Sequence, residues 1–178
     1  MNMITRLALA LTALLATPCA IADGTFQFVL NGKSYHVNST NDWNENNYGV
    51  GLEYQLPGHS RWIRTAMVNA FVDSQENMSY MAGGGLHRRL ISRDILGGLY
   101  FDAGLNVFVM SRKDINNRQP FAGLLPSVTL GNRYGGLNLS YVPGKALHDV
   151  SSTSVADPTI EGVFFLQLKL RLDRFGIE

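Results

Sequence analysis

The sequence predicts an all-β fold, an eight-stranded antiparallel up-and-down transmembrane β-barrel with an interior pocket. Three observations carry that prediction. Eight short segments of β character follow one another, each bounded by Gly, Pro, Asn, Asp or Ser. The connections between them alternate long and short, as in outer-membrane barrels with long external loops and short periplasmic turns. The chain also opens with a secretory signal over residues 1–22, carrying Arg6, an apolar run at residues 7–16 and Ala20-Ile21-Ala22 as the cleavage motif. That leaves one domain over residues 23–178.

Composition narrows the classes further. Without Arg6, 14 basic residues stand against 14 acidic ones, so the chain lacks the basic excess of a nucleic-acid binder. Cys19 is the only cysteine, and cleavage of the signal removes it, excluding disulfide and thiol chemistry. No later segment approaches the roughly 18 apolar residues of a helical span.

The segments fall at about residues 25–36, 48–56, 61–72, 79–90, 95–109, 121–131, 136–143 and 161–173. The first contains Asn31-Gly32, which reads either as a two-residue hairpin or as a glycine bulge in one long strand. The third stops abruptly at Asp73-Ser74, and the fourth carries Gly83, Gly84 and Gly85, where missing side chains leave room for a ligand. In the fifth, Ile95, Leu99, Phe101, Leu105, Val107 and Val109 share one face with Gly97 and Ala103, and Tyr100, Asp102 and Asn106 lie on the other. The sixth and seventh contain Pro126 and Pro143, each removing a ladder hydrogen bond, so that side by side they leave a gap in a barrel wall. In the eighth, Phe164, Leu166, Leu168, Leu170 and Leu172 oppose Gln167, Lys169, Arg171 and Asp173. A soluble β domain hides such an apolar face and a membrane barrel turns it outward; periodicity leaves both open. The connections favour the membrane: PGHS, ISRD and NRYG are tight turns, whereas residues 36–47, 73–78, 110–120 and 144–160 form longer loops at one rim.

That outer rim gathers His36, Asp73, Ser74, Arg112 and Lys113. With strands about 4.8 Å apart, His36 and Ser74 on the first and third strands start about 10 Å apart, straddling a substrate rather than forming a preassembled triad. A histidine serves as a general base near neutral pH, and a hydroxyl with a carboxylate binds, orients or attacks. The plainer alternatives are that Asp73-Ser74 is a turn cap and that His36 and the loop cations are solvated. His36, His59, His87 and His148 are scattered, without the spacing of a metal site, and no cofactor is implied.

On these residues the chain resembles the lipid A palmitoyltransferase PagP family. WNENNYGVGLEY (residues 43–54) is similar to that family's aromatic-Asn-Glu segment and glycine-rich second strand. AFVDSQENMSYMAGGG (residues 70–85) matches its Ala-Phe-x-Asp-Ser and Ala-Gly-x-Gly. SRKDINNRQPFAGLLPSVTLG resembles its Arg-Asp loop and Leu-Leu-Pro strand, and LSYVPG (residues 139–144) its Thr-Tyr-Ile-Pro-Gly. The chain departs from the family at Gln75, where a Trp usually follows the Asp-Ser pair, and strand character begins too soon after Asp23 for the family's preceding amphipathic helix.

The resemblance implies an outer-membrane acyltransferase with an interior acyl-chain pocket, moving a palmitoyl chain from a phospholipid acyl donor to a lipid A acceptor as a monomer among outer-membrane lipid. Its essential His, Asp and Ser correspond to His36, Asp73 and Ser74, and the glycine that rules acyl-chain length corresponds to Gly85, where a larger residue shortens the accepted chain. Its two prolines at the lateral lipid opening correspond to Pro126 and Pro143, and Arg112 and Lys113 are expected to contact lipid A phosphates. A non-enzymatic lipid-binding barrel and a lipid A deacylase are the alternatives.

Overall fold

The computed structural model of the chain describes residues 24–58, 60–113, 115–150 and 159–174. The predicted signal with Cys19, and His59, lie outside the described residues. Strands β1 (Thr25–Val37), β2 (Asn46–Gln55), β3 (Trp62–Val72), β4 (Met78–Arg93), β5 (Leu99–Ser111), β6 (Phe121–Gly131), β7 (Gly135–Pro143) and β8 (Gly162–Arg171) pair in sequence order, and β8 returns to β1 to close a barrel. All the pairings are antiparallel.

The direction of the alternation settles the question periodicity left open. Val50, Leu52, Val68, Leu105, Val107, Leu124, Leu137 and Leu166 point outward, while Gln27, Asn31, Glu53, Asn69, Asp102, Asn106, Asn138, Gln167 and Lys169 are buried inside. Apolar outside and polar inside is the inverted pattern of a membrane barrel. Exposed aromatics mark both edges of the apolar band, with Tyr35, Tyr48 and Tyr80 toward one rim and Trp62 and Tyr134 toward the other. Amphipathic rings of this kind sit at the headgroup level.

Asn31-Gly32 is a bulge. β1 continues through it, and its register shifts there against both β2 and β8, which is what one extra residue in a continuous strand does. The fourth connection differs from the expected ISRD turn: β4 runs through Arg93, and the chain reverses over residues 94–98. Leu96, Gly97 and Gly98 take φ of 50°, 79° and 85°. Gly97 and Gly98 accept that left-handed backbone without steric cost, so Ile95-Leu96 belongs to the turn and not to β5.

The wall is incomplete at one place. β6 and β7 pair from Gly131↔Gly136 up to Ser127↔Ser140 and no further, although β6 extends to Phe121 and β7 to Pro143. Pro126 is the first β6 residue beyond the last pair, and it lacks the N–H a ladder needs. Beyond β7, where the sequence suggested only a loop, a seven-residue helix α1 (Gly144–Val150) begins. Gly144 N–H donates to the Glu161 carbonyl at 2.7 Å, tying the start of α1 to β8.

The interior divides into two halves. Toward the short-turn rim it is packed with polar side chains: Lys169 Nζ donates to both Glu53 carboxylate oxygens at 2.9 and 2.8 Å, and Arg89 makes a two-pronged contact with Asp102 at 2.9 and 3.0 Å. Toward the long-loop rim it is apolar, and there a cavity opens.

Candidate active site

The cavity lies under the long loops. Phe71 from β3, Met81 from β4, Phe108 from β5, Leu125 from β6 and Val163 and Phe165 from β8 give it an apolar wall, and α1 contributes Leu147. Its mouth carries the polar residues His36, Trp43, Asp73, Ser74 and Arg112.

His36 Nε2 stands 3.0 Å from Ser74 Oγ. The roughly 10 Å separation expected from strand spacing is thereby corrected: the two residues touch. Both side chains lean across the narrow lumen of an eight-stranded barrel, and β2 does not separate them, because its pairing with β3 ends at Gly49↔Phe71. The pair is preassembled.

Asp73 takes no part in that contact among the described hydrogen bonds. One carboxylate oxygen accepts the backbone N–H groups of Gln75 and Asn77 at 2.9 and 3.0 Å, closing the tight turn that follows. The other accepts from Ser79 Oγ at 2.8 Å and from Arg112 Nε at 3.2 Å. Asp73 is therefore the turn cap that its position after β3 suggests, and it also holds Arg112 at the mouth. Lys113 is exposed and lies outside the cavity lining.

The segment between β1 and β2 packs against the pair from the loop side. The Trp43 indole stacks on the His36 ring, with centroids 5.6 Å apart and planes 19° apart, and its Nε1–H donates to Ser39 Oγ at 2.6 Å. Asn44 bonds the rim of β3 twice, through its backbone N–H to the Ser74 carbonyl at 3.0 Å and through Nδ2 to the Asp73 carbonyl at 3.2 Å. Glu45 reaches His36 on the side away from Ser74: Oε1 lies 3.7 Å from Nδ1 and accepts the His36 backbone N–H at 3.3 Å. Sequence reasoning had these three residues inside a family motif without assigning them to the site; Trp-Asn-Glu in a loop carries no chemical signature until the loop folds back.

The cavity ends on a layer of amides. Asn31 and Asn69 exchange side-chain hydrogen bonds at 2.6 and 3.1 Å, Gln167 donates to Asn31 Oδ1 at 2.7 Å, and Asn138 donates to Gln167 at 2.8 Å. Asn106 joins Ser127 at 2.9 Å and His87 at 3.1 Å. Gly85, which the sequence places at the pocket floor, lies beside this layer. Gly85 pairs directly with Asn106 across β4 and β5 and does not line the cavity. A Cβ placed there meets Asn106 Oδ1, Thr65 Oγ1 and His87 Nε2, so neighbouring polar groups already occupy the room its missing side chain leaves.

Pro126 and Pro143 stand beside the break in the β6–β7 ladder, both exposed on the outer surface. Leu125 and Val142, their chain neighbours, line the cavity, so the break lies alongside the apolar well.

Comparison with known proteins agrees with this architecture. Residues 26–151 of the 178-residue chain match the family described as "Antimicrobial peptide resistance and lipid A acylation protein PagP". The chain is 32% identical over 115 residues, 64% of its length, to proteins named lipid A acyltransferase PagP from Bordetella pertussis and Bordetella bronchiseptica. It is 32% identical over 114 residues to the protein of that name from Methylobacillus flagellatus. The match spans 61% of the Bordetella proteins and 59% of the Methylobacillus one. By the extent of that family match, and by a closed eight-stranded barrel whose Asp73-Ser74 rim meets His36 over an apolar well, the chain belongs to the PagP family.

Proposed function

We propose that this protein is a lipid A acyltransferase of the outer membrane, which transfers a palmitoyl chain from a glycerophospholipid to a hydroxyacyl chain of lipid A. The observation that carries the reading is the 3.0 Å contact between His36 Nε2 and Ser74 Oγ at the mouth of an apolar well inside a membrane barrel. A base and a hydroxyl above a hydrocarbon-shaped space are what acyl transfer from a lipid ester requires. Residues 1–22 direct the chain to secretion and are removed, and the barrel acts as a monomer with its site at the external rim.

The donor's acyl chain enters through the β6–β7 break and lies in the well, with its ester carbonyl at the mouth. His36 Nε2 takes the proton of the attacking hydroxyl as that oxygen bonds to the carbonyl carbon. The tetrahedral intermediate then collapses, the ester bond to the glycerol oxygen breaks, and the imidazolium returns its proton to that oxygen. Lysophospholipid leaves. Where Ser74 attacks first, a second round moves the acyl group to the lipid A hydroxyl; where the acceptor attacks directly, Ser74 holds it against His36. Arg112, fixed by Asp73, and the exposed Lys113 supply positive charge for lipid A phosphates.

The test is mass spectrometry of lipid A from cells expressing the chain, beside H36A and S74A variants folded to equal levels. A palmitoyl-sized gain that both variants lose is the expected result. Unchanged lipid A from a folded barrel identifies a lipid-binding protein instead, and a loss of mass identifies a deacylase.

A further inference from the structure

We infer that Glu45 is the carboxylate that orients His36, completing a Ser74–His36–Glu45 line, and that Asp73 serves the site as the anchor of its turn and of Arg112. The inference rests on the acyl-transfer reading for its catalytic meaning and on geometry for the pairing itself. A general-base histidine needs its second ring nitrogen held as a donor, so that the nitrogen facing the hydroxyl is free to accept, and needs negative charge nearby once it is protonated. His36 uses Nε2 toward Ser74, which leaves Nδ1 for that task. Glu45 Oε1, at 3.7 Å, is the carboxylate oxygen within ion-pair distance of Nδ1 among the described residues. Asp73, one residue from Ser74, is directed elsewhere, with both oxygens taken by the Gln75 and Asn77 amides, Ser79 and Arg112.

Three contacts bring Glu45 to this position independently of its charge. The Ser34 N–H donates to the Glu45 carbonyl at 2.9 Å, fixing its backbone beside β1. The His36 N–H donates to Oε1, tethering the carboxylate to the residue whose ring it serves. Asn44, next in the chain, is bonded to Asp73 and Ser74, so one short segment spans both members of the pair. A separation of 3.7 Å exceeds a hydrogen bond, and such contacts commonly tighten when substrate binds. Among the described residues, the other ionisable groups near the ring include Asp73 and Arg112, which pair with each other, and Glu161, whose N–H bonds the Val37 carbonyl next to His36.

The test compares E45Q, E45D and D73N in two ways: acyl-transfer kinetics across pH, and NMR titration of the His36 ring in detergent micelles. E45Q is expected to lower kcat by about 10- to 100-fold with little change in KM. That is less than the roughly 10⁴-fold cost of altering a buried triad carboxylate, because the Glu45 side chain is 42% exposed and water partly replaces it. Without the carboxylate the imidazolium is less stable, so the His36 titration and the acid limb of the rate profile both move to lower pH; E45D restores part of each. A His36 titration that E45Q leaves in place overturns the inference, as does one moved by D73N and not by E45Q. If E45Q does not refold, E45D carries the comparison, since withdrawing the carboxylate by one methylene shifts the titration in the same direction by less. A wild-type chain that transfers nothing refutes the acyl-transfer reading, while the titration still decides the pairing of Glu45 with His36.

Discussion

The two halves of the barrel interior are built from the same alternating strands and solve opposite problems. Below, toward the short turns, inward residues are amides and charges that satisfy one another: Lys169 with Glu53, Arg89 with Asp102, and the Asn31–Asn69–Gln167–Asn138 chain. Above, inward residues are Phe71, Met81, Phe108, Leu125 and Phe165, which leave a space and no bonding demands. The bonded pairs give the lower half rigidity, since satisfied hydrogen bonds in a low-dielectric interior hold their members in one arrangement. The upper half gives room for a flexible chain. The His36–Ser74 rim sits on the side that has room, and it is stiffened from outside by loop residues rather than from below.

Breaking each half separates the two roles. H36A or S74A is expected to reduce transfer by about 10²- to 10⁴-fold, the usual contribution of acid–base chemistry, with the urea midpoint of the folded barrel in detergent unchanged. In the lower half, E53A or K169A leaves a buried charge without its partner and is expected to cost about 3–5 kcal/mol of unfolding free energy. Replacing both together by Leu and Met is expected to return most of that stability, and rates measured below the unfolding transition stay at the wild-type value.

The boundary between the halves is tested by N106A. It clears the room in front of Gly85 and is expected to lengthen the acyl chains transferred from a mixed-chain phospholipid pool, read by lipid A mass spectrometry. G85A crowds Asn106, Thr65 and His87 and is expected to cost about 1–3 kcal/mol by overpacking. The smallest effect is expected from K113A: an exposed cation outside the lining changes stability by less than about 0.5 kcal/mol and raises KM for the acceptor only slightly, and the rise shrinks as salt is added.

The fold was largely legible because side-chain alternation and loop length are local properties. The opposed faces of β8, Phe164 and Leu166 against Gln167 and Lys169, stand in the structure as the pattern reads. The placement of Asp73 and Ser74 at the end of β3 was likewise readable, because an apolar strand that stops on Asp-Ser marks its own end. What the sequence leaves open depends on three-dimensional filling. Gly85 shows a missing side chain in sequence, yet whether that absence makes a void depends on Asn106, 21 residues later, and on Thr65 across the sheet. Glu45 carries no signal, because its approach to His36 comes from a loop path and not from a strand period. The β4–β5 turn was misread because Ile95 and Leu96 look like strand residues, and only the Gly97-Gly98 backbone shows that the chain has already reversed.

The amide layer has one more consequence, for the cell rather than for the reaction. A cylinder of strands through a bilayer is potentially a leak, and a barrel whose wall breaks between β6 and β7 risks opening one. Here the well stops partway down, and below it Lys169 lies against Glu53 and Asn138 against Gln167 in a lumen filled by side chains. The barrel is a blind shaft rather than a tunnel, so under the proposed acyl transfer a hydrocarbon chain enters from the membrane without giving ions or small solutes a path to the other side.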